Sequence, residues 1–405
     1  MKPLAPLHPD PLPAFTSPDF LGVEGLLSAE ELALRDEVRG WVEARLMPRI
    51  SELYFAGEFP ADIVPDLGRL GLLGPTTPVE YGGPGRSSVM YGLIMQELER
   101  CDSGVRSFAS VQSSLVMYPI RAFGSEAQKR HWLPRMARGE VIGCFGLTEP
   151  EHGSNPAGMI TDATEVDGGW LLHGRKKWLS NGPSADVAVV WAKTNGSDDP
   201  RSIRGFLVPT DLPGVTVHRI DDKHSLRVSE SSAMSFDQVR LPADAILPES
   251  GGVKSPLMCL NQARYGIVWG TLGAAMACFD EALQYARQRI MFDKPIGATQ
   301  LQQERLADMI TKVTNGQLLA LQLGRLKDGP GASAAQISLA KRHNVDMACE
   351  VAREARRLLG ANGILGGWHS MRHMANLESV YTYEGTHDMH TLIIGQALTG
   401  EAAFR

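Results

Sequence analysis

Three separated segments carry residue types and spacings that could do chemistry. Tyr381-Thr382-Tyr383-Glu384-Gly385-Thr386-His387-Asp388 sets a lone carboxylate between tyrosine and glycine, just before a helical run. Burial there would raise the carboxylate pKa and make it a usable base; a plain helix N-terminal charge is the competing reading. Phe145-Gly146-Leu147-Thr148-Glu149-Pro150, followed by His152-Gly153-Ser154-Asn155-Pro156, offers backbone amides, hydroxyls and glycine freedom suited to wrapping a polar ring or a pyrophosphate. Lys177-Trp178-Leu179-Ser180-Asn181-Gly182 places an aromatic beside a hydroxyl and an amide. Each segment alone reads equally well as a structural turn.

Other chemistries find no foothold. The sequence contains no P-loop, HExxH, GxSxG elbow, EF-hand loop or GxGxxG. His387 and His390 are three apart on a predicted helix, but no third ligand accompanies them, so they read as polar helix-face histidines and no metal site is expected. The five cysteines are scattered without a CxxC pair, which argues against a disulfide framework and for a reducing cytoplasm. No secretory or transit segment is read at the N-terminus. A net charge of −6 argues against a dedicated nucleic-acid binder. The charge-free stretches at 107–120 and 265–279 are too short for a membrane span.

The elements that must position these segments follow from periodicity. With 405 residues, 43% hydrophobic and 21% charged, the chain can bury two or three domains. Residues 1–25 are Pro-rich and read as an arm. Helical patterns then run through 26–142, opening on a Ser28/Glu31 capping box. From 143 to 250 the texture is β, with short runs at 170–173, 187–193, 205–208, 215–220 and 233–239 predicting an antiparallel sheet or barrel. From 251 to 405 long periodic runs at 256–292, 299–327, 333–360 and 387–399 predict a four-helix bundle. The expected class is α+β: helical, then β, then helical.

Taken together, the segments resemble the acyl-CoA dehydrogenase family, most closely its glutaryl-CoA members. The resemblance spans 27–405 and rests on Glu97-Leu98-Glu99-Arg100, Asp102 to Ser107, Phe145 to Pro150, Ala263-Arg264-Tyr265-Gly266, Arg289-x-x-Phe292, Gln300 and Tyr383 to His390. It implies the three-part architecture just read, an FAD cofactor, an acyl-CoA substrate, an electron-transferring flavoprotein as partner and a homotetramer. It also implies Glu384 as the base that removes the α-proton. Its backbone N–H, with a flavin hydroxyl, would hold the thioester oxygen. Ala263 leaves no competing carboxylate at the position some members use. Arg264 would support the active site and the CoA, with an interhelical ion pair as the alternative.

For the flavin the resemblance implies Phe145, Leu147, Thr148, Trp178 and Ser180. Arg289, Phe292 and Gln300 would reach a neighbouring subunit's FAD, and core packing is the alternative for Phe292. Arg357, Leu359, Gly360, Ala361, Thr386 and Asp388 match further dinucleotide contacts. Ser154 would face the cofactor and the CoA chain, and Gly385 and Tyr383 the acyl group.

The acyl pocket gives the sharpest expectation. A straight apolar tail does not tolerate a buried cation, whereas a distal carboxylate would pair with Arg106. Arg106-Ser107 with Glu99 matches the glutaryl-type pattern, which implies oxidation of glutaryl-CoA with decarboxylation to crotonyl-CoA. A solvent-exposed Glu99–Arg106 pair is the alternative, as are another short or branched acyl-CoA or a flavin-binding scaffold. The sequence departs from the family pattern at Ser180 (usually Thr), Asn155 (usually Asp), Ala361 (usually Gly) and Val105 (usually larger).

Overall fold

The computed structural model describes residues 18–403; most of the expected N-terminal arm, 1–17, lies outside them. The helical start is α1 (Ala29–Arg45), α2 (Ile50–Ala56), α3 (Val64–Arg69), α4 (Ser88–Cys101), α5 (Ser103–Ser110), a π-helical stretch Val111–Met117, α6 (Tyr118–Phe123) and α7 (Glu126–Ala137). The Ser28/Glu31 capping box forms as the sequence predicts, and Ser125/Gln128 makes a second. Asp102 separates α4 from α5. Its backbone is extended, and its carboxylate accepts the Gly104 N–H at 2.7 Å as the N-cap of α5. Glu99 and Arg106 therefore sit on two helices, not on one continuous helix.

The middle of the chain is a β-sheet: β1 (Gly143–Gly146), β2 (Asp162–Val166), β3 (Gly169–Ser180), β4 (Val187–Thr194), β5 (Arg204–Pro209), β6 (Val215–Arg219) and β7 (Ser231–Pro242). The order is β1-β4-β2-β3-β7-β6, with β5 on β4. All the β runs seen in the sequence are strands, but the sheet is not wholly antiparallel. β1 and β2 both pair with β4 in parallel. Only strands joined by tight turns are obliged to be antiparallel, and both of these reach β4 through longer connections. One face closes on Leu172, Phe206 and Phe236, while Trp191 packs on the opposite face against Phe123 and Phe145.

The C-terminal part holds α8 (Lys254–Gln288), a small hairpin β8 (Ile290–Met291) and β9 (Lys294–Pro295), then α9 (Gln300–Asp328), α10 (Ala334–Leu358), α11 (Ser370–Thr382) and α12 (His387–Thr399). The four predicted long runs are α8, α9, α10 and α12, although α12 has only 13 residues. The sequence reading missed α11, which packs against α8 and α10. Glu281 caps its start by accepting the His369 and Ser370 N–H groups at 2.7 and 2.9 Å. That acceptor lies far away in sequence, so no local signal marks this helix.

Candidate active site

Tyr383 ends α11 and Thr386 caps α12, its hydroxyl accepting the Met389 N–H at 3.2 Å. Between two helices this close, the chain must turn sharply. It does so with Glu384 at φ 55 and Gly385 at φ 91. A left-handed glutamate costs about 1 kcal/mol or more and persists only where its surroundings hold it. Here they do. Lys341 of α10 donates to the Tyr383 and Gly385 carbonyls, both at 2.9 Å, and Arg264 of α8 donates to the Glu384 carbonyl at 2.7 Å. Three successive carbonyls are thus gripped by two buried cations, Lys341 at 1% and Arg264 at 6% exposure.

The Glu384 carboxylate has a fully buried Oε2 with no hydrogen-bond partner. Burial raises its pKa above the ordinary carboxylate range, opposed by the charges of Arg264, Lys341 and Arg106. This is the environment of a poised base. Arg264 forms no ion pair among the described residues, and its own pKa is lowered by burial, with Glu384 opposing.

Arg106 is 2% exposed and Glu99 fully buried. Arg106 Nε donates to Glu99 Oε2 at 2.6 Å and its Nη2 to the Tyr383 hydroxyl, while Ser103 Oγ donates to the other Glu99 oxygen at 2.8 Å. A solvent-exposed Glu99–Arg106 pair is thereby ruled out. Burial alone would lower the guanidinium pKa; Glu99 and Tyr383 outweigh it and raise it. Among the described residues Nη1 makes no hydrogen bond to the protein, so one face of the guanidinium stays available. Gly270 of α8 makes room for the pair: a Cβ there would lie 2.0 Å from Glu99 Oε2 and 3.1 Å from Arg106 Nε. Ser107 is buried beside Arg106 on α5.

Two histidines behave differently from their sequence reading. His390 is fully buried, not on a polar face. Its Nδ1 meets Ser338 Oγ at 3.0 Å, while Nε2 has no partner. Burial, with Lys341 and Arg264 nearby, pushes its pKa down to about 3, so the ring is neutral. His387 stacks on Tyr381 with ring centroids 4.3 Å apart.

The segments expected to hold a cofactor lie at the surface of the sheet and of the bundle. A register shift between Lys177 and Leu179 ejects Trp178 from β3 at φ 66, leaving it 58% exposed. Ser180 is half-buried, Thr148 half-buried and Ser154 exposed, while the Phe145 and Leu147 side chains point into the core. Phe145 and Leu147 can therefore offer only backbone, and the Leu147 carbonyl already accepts from Lys176 Nζ at 3.1 Å.

Phe292 is 84% exposed with φ 51, which removes the core-packing alternative within this chain. It projects from the hairpin beside Arg289, near the exposed Gln300. Arg357 and Glu354 pair at 2.5 Å, and Glu354 also meets Arg305 at 3.6 Å, so the hairpin, the start of α9 and the end of α10 share one end of the bundle. That end lies about 24 Å along α10 from Lys341, at the rise per residue of an α-helix. Leu359 is buried, Gly360 has φ 61, and Ala361 is not among the positive-φ residues, so its side chain costs no strain. Asp388 is exposed in the first turn of α12.

The structure therefore gathers Glu384, Gly385, Arg264, Tyr383, Arg106 and Glu99 into one centre, and leaves Arg289, Phe292, Gln300 and Arg357 to Ala361 at a remote rim. Two bare aromatics beside hydroxyls and cations suit a large aromatic, phosphate-bearing cofactor such as a flavin dinucleotide. Sequence reasoning missed Lys341, whose run Ser338 to Lys341 looks like ordinary amphipathic helix, and Gly270.

Comparison with known proteins agrees with this arrangement. Residues 28–140, 144–239 and 250–399 match the N-terminal, middle and C-terminal domains of acyl-CoA dehydrogenase. The human mitochondrial short-chain specific acyl-CoA dehydrogenase is 34% identical over 357 residues, 88% of this chain and 87% of that protein. A glutaryl-CoA dehydrogenase structure from Mycobacterium smegmatis is 54% identical, with a TM-score of 0.93 over 96% of this chain and all (100%) of that one. A second from the same organism, in complex with FADH2, is 49% identical, with a TM-score of 0.94 over 96% and 100% of the two chains. With helical, β and helical domains all matched in order around a half-buried glutamate, the chain belongs to the acyl-CoA dehydrogenase family.

Proposed function

We propose that this enzyme is an FAD-dependent dehydrogenase of glutaryl-CoA that couples oxidation to loss of CO2. The observation that carries the reading is Arg106: a buried guanidinium, fixed by Glu99 and Tyr383, with Nη1 unspent. A distal substrate carboxylate would accept from that nitrogen in a charge-assisted bond. The similarity to glutaryl-CoA dehydrogenases supports the same choice.

The residues would act as follows. Glu384, ionised but desolvated, takes the α-proton, and its backbone N–H receives the charge that develops on the thioester oxygen. Trp178, Ser180, Thr148, Thr386 and Asp388 would hold FAD, with Arg289, Phe292, Gln300 and Arg357 serving a neighbouring subunit's. FAD, when bound, accepts the β-hydrogen as hydride. The α,β-unsaturated product has its distal carboxylate one carbon from the double bond, so loss of CO2 leaves a dienolate. Glu384, now protonated, returns its proton to the γ-carbon, giving crotonyl-CoA.

An electron-transferring flavoprotein as acceptor and a homotetrameric assembly complete the proposal. The bare rim at Ile290, Met291 and Phe292, 56%, 48% and 84% exposed, supports an assembly.

A second reading is favoured by Glu99. It already neutralises Arg106, so a straight short acyl chain meets no uncompensated charge. A steady-state panel decides. Wild type should turn over glutaryl-CoA with release of CO2 and crotonyl-CoA, and Arg106→Ala should lose that while butyryl-CoA turnover is spared. Equal losses on both substrates refute the assignment of Arg106, and accumulation of glutaconyl-CoA refutes decarboxylation.

A further inference from the structure

Lys341 is buried at 1% exposure, sits outside every motif that carries the family resemblance, and grips the loop of the base from α10. Its contact with the Tyr383 carbonyl has a specific consequence. That carbonyl belongs to the same peptide unit as the Glu384 N–H. Among the described residues this N–H donates to no protein acceptor, while the Tyr383, Glu384 and Gly385 carbonyls around it are all engaged. One end of the peptide is therefore held by an ammonium and the other is an open donor.

Hydrogen bonds in series polarise one another. A cation on the oxygen withdraws density from the amide nitrogen and makes its proton a better donor. We propose that Lys341 is a positioning residue that polarises the Tyr383–Glu384 peptide, so that the Glu384 N–H binds the thioester oxygen more tightly as the α-proton leaves. The inference rests on the reading of Glu384 as α-proton acceptor, and not on which acyl-CoA is the substrate. Transition-state charge is where such a preorganised dipole counts most.

The surroundings of Lys341 fit this role. Glu384 and the two flanking carbonyls face it from the loop, Arg264 from α8, Arg106 from α5, Cys349 from its own helix, and His387 and His390 from α12. Among the described residues no acceptor besides the two carbonyls is bonded to Nζ. Burial pushes the ammonium down to about 7, with Glu384 opposing and the two arginines reinforcing. Lys341 is thus a titrating support under the oxygen site. A lysine that merely tied down the loop would be replaceable by any donor that spans the two carbonyls.

The test uses the FAD-loaded enzyme and 3-thiabutyryl-CoA, whose α-carbon is acidified between sulfur and carbonyl. Its ionisation is read from the long-wavelength charge-transfer absorption of the bound enolate against the flavin. Lys341→Gln keeps two N–H donors and removes the charge; Lys341→Arg keeps the charge.

The expected result is that Gln lowers the on-enzyme ionisation constant by about 10- to 100-fold, less than the ~100- to 1,000-fold of losing a direct oxyanion donor. The CoA dissociation constant should stay within about threefold, a change too small to count as lost ground-state binding. Arg should retain ionisation and move the alkaline limb of kcat/KM to higher pH. Equal ionisation by wild type and Lys341→Gln overturns the proposal. Should the Gln variant not fold, a folded, FAD-bound Lys341→Arg that fails to ionise the analogue overturns it equally. A wild type that binds the analogue without ionising it would instead overturn the reading of Glu384.

Discussion

Glu384 and the Phe292-Asp293 pair share a rare backbone state, with φ of 55, 51 and 61, yet they stand in opposite surroundings. The strained glutamate is enclosed: its loop carbonyls are held by Lys341 and Arg264, and its Oε2 is sealed from water. The strained pair at the hairpin tip has Phe292 bare to solvent and only the short β8–β9 ladder behind it. Left-handed non-glycine residues persist where something over-determines them. Within one chain, packed cations supply it for the base, while at the rim it is supplied only by the tight two-residue hairpin turn, which requires positive φ at both loop residues. The loop of Glu384 is therefore held by packed groups of its own chain, whereas the bare rim is the part that the proposed FAD and neighbouring subunit would cover.

The largest break in this contrast comes from Glu384→Gln. The amide fits the same volume and removes a carboxylate whose ionised form is penalised by burial. Turnover should fall by about 10³- to 10⁴-fold, the upper range for a general base, while FAD stoichiometry holds and Tm does not fall. The pH dependence follows with a definite sign. The folded-state pKa is raised above the ordinary 4.5, so between the two values the folded enzyme binds more protons than the unfolded chain. Stability therefore falls as pH rises through that window, while kcat/KM rises as the base ionises. The Gln variant should lose both slopes. A retained acid limb in kcat/KM would place the base elsewhere.

A smaller break tests whether the centre is as tightly built as it looks. Alanine for glycine within a helix ordinarily stabilises by about 1 kcal/mol. At Gly270 the new Cβ would lie 2.0 Å from Glu99 Oε2, so the buried pair must move. Gly270→Ala should destabilise by about 1–3 kcal/mol, the cost of overpacking a filled site, and should raise KM for glutaryl-CoA more than for butyryl-CoA. Chemical denaturation with both substrates in parallel measures this. A stabilised variant with unchanged KM values would show that the pair has slack.

What the sequence made legible follows the same division. Helices with local caps, such as α1 with Ser28 and Glu31, and strands with apolar runs, such as β4, are written in neighbouring residues. The base and its arginines could be read because the resemblance supplied them as motifs. Lys341 could not. Its partners are carbonyls 42 and 44 residues away, and a buried lysine in an amphipathic helix looks like any surface lysine until the fold encloses it. The burial of His390 was hidden for the same reason. The parallel pairing of β1 and β2 with β4 likewise depends on long connections and not on strand composition. Phe292 was ambiguous because exposure cannot be read from an aromatic alone.

The rim supplies the smallest effect within one subunit and the sharpest test of incompleteness. Phe292→Ser removes a ring that touches little of its own chain, so unfolding of the isolated subunit should shift by less than about 0.5 kcal/mol, as for other surface changes. If the hairpin is completed by another copy and its FAD, the same substitution should loosen the assembly. Sedimentation velocity should show a larger fraction of smaller species, and the ratio of flavin to protein absorbance should drop on dilution. The base would be untouched, so activity per bound FAD should hold. A variant that stays fully assembled and flavin-replete at every dilution would mean that the hairpin holds its left-handed turn without help, and the rim would then be as self-sufficient as the loop of Glu384.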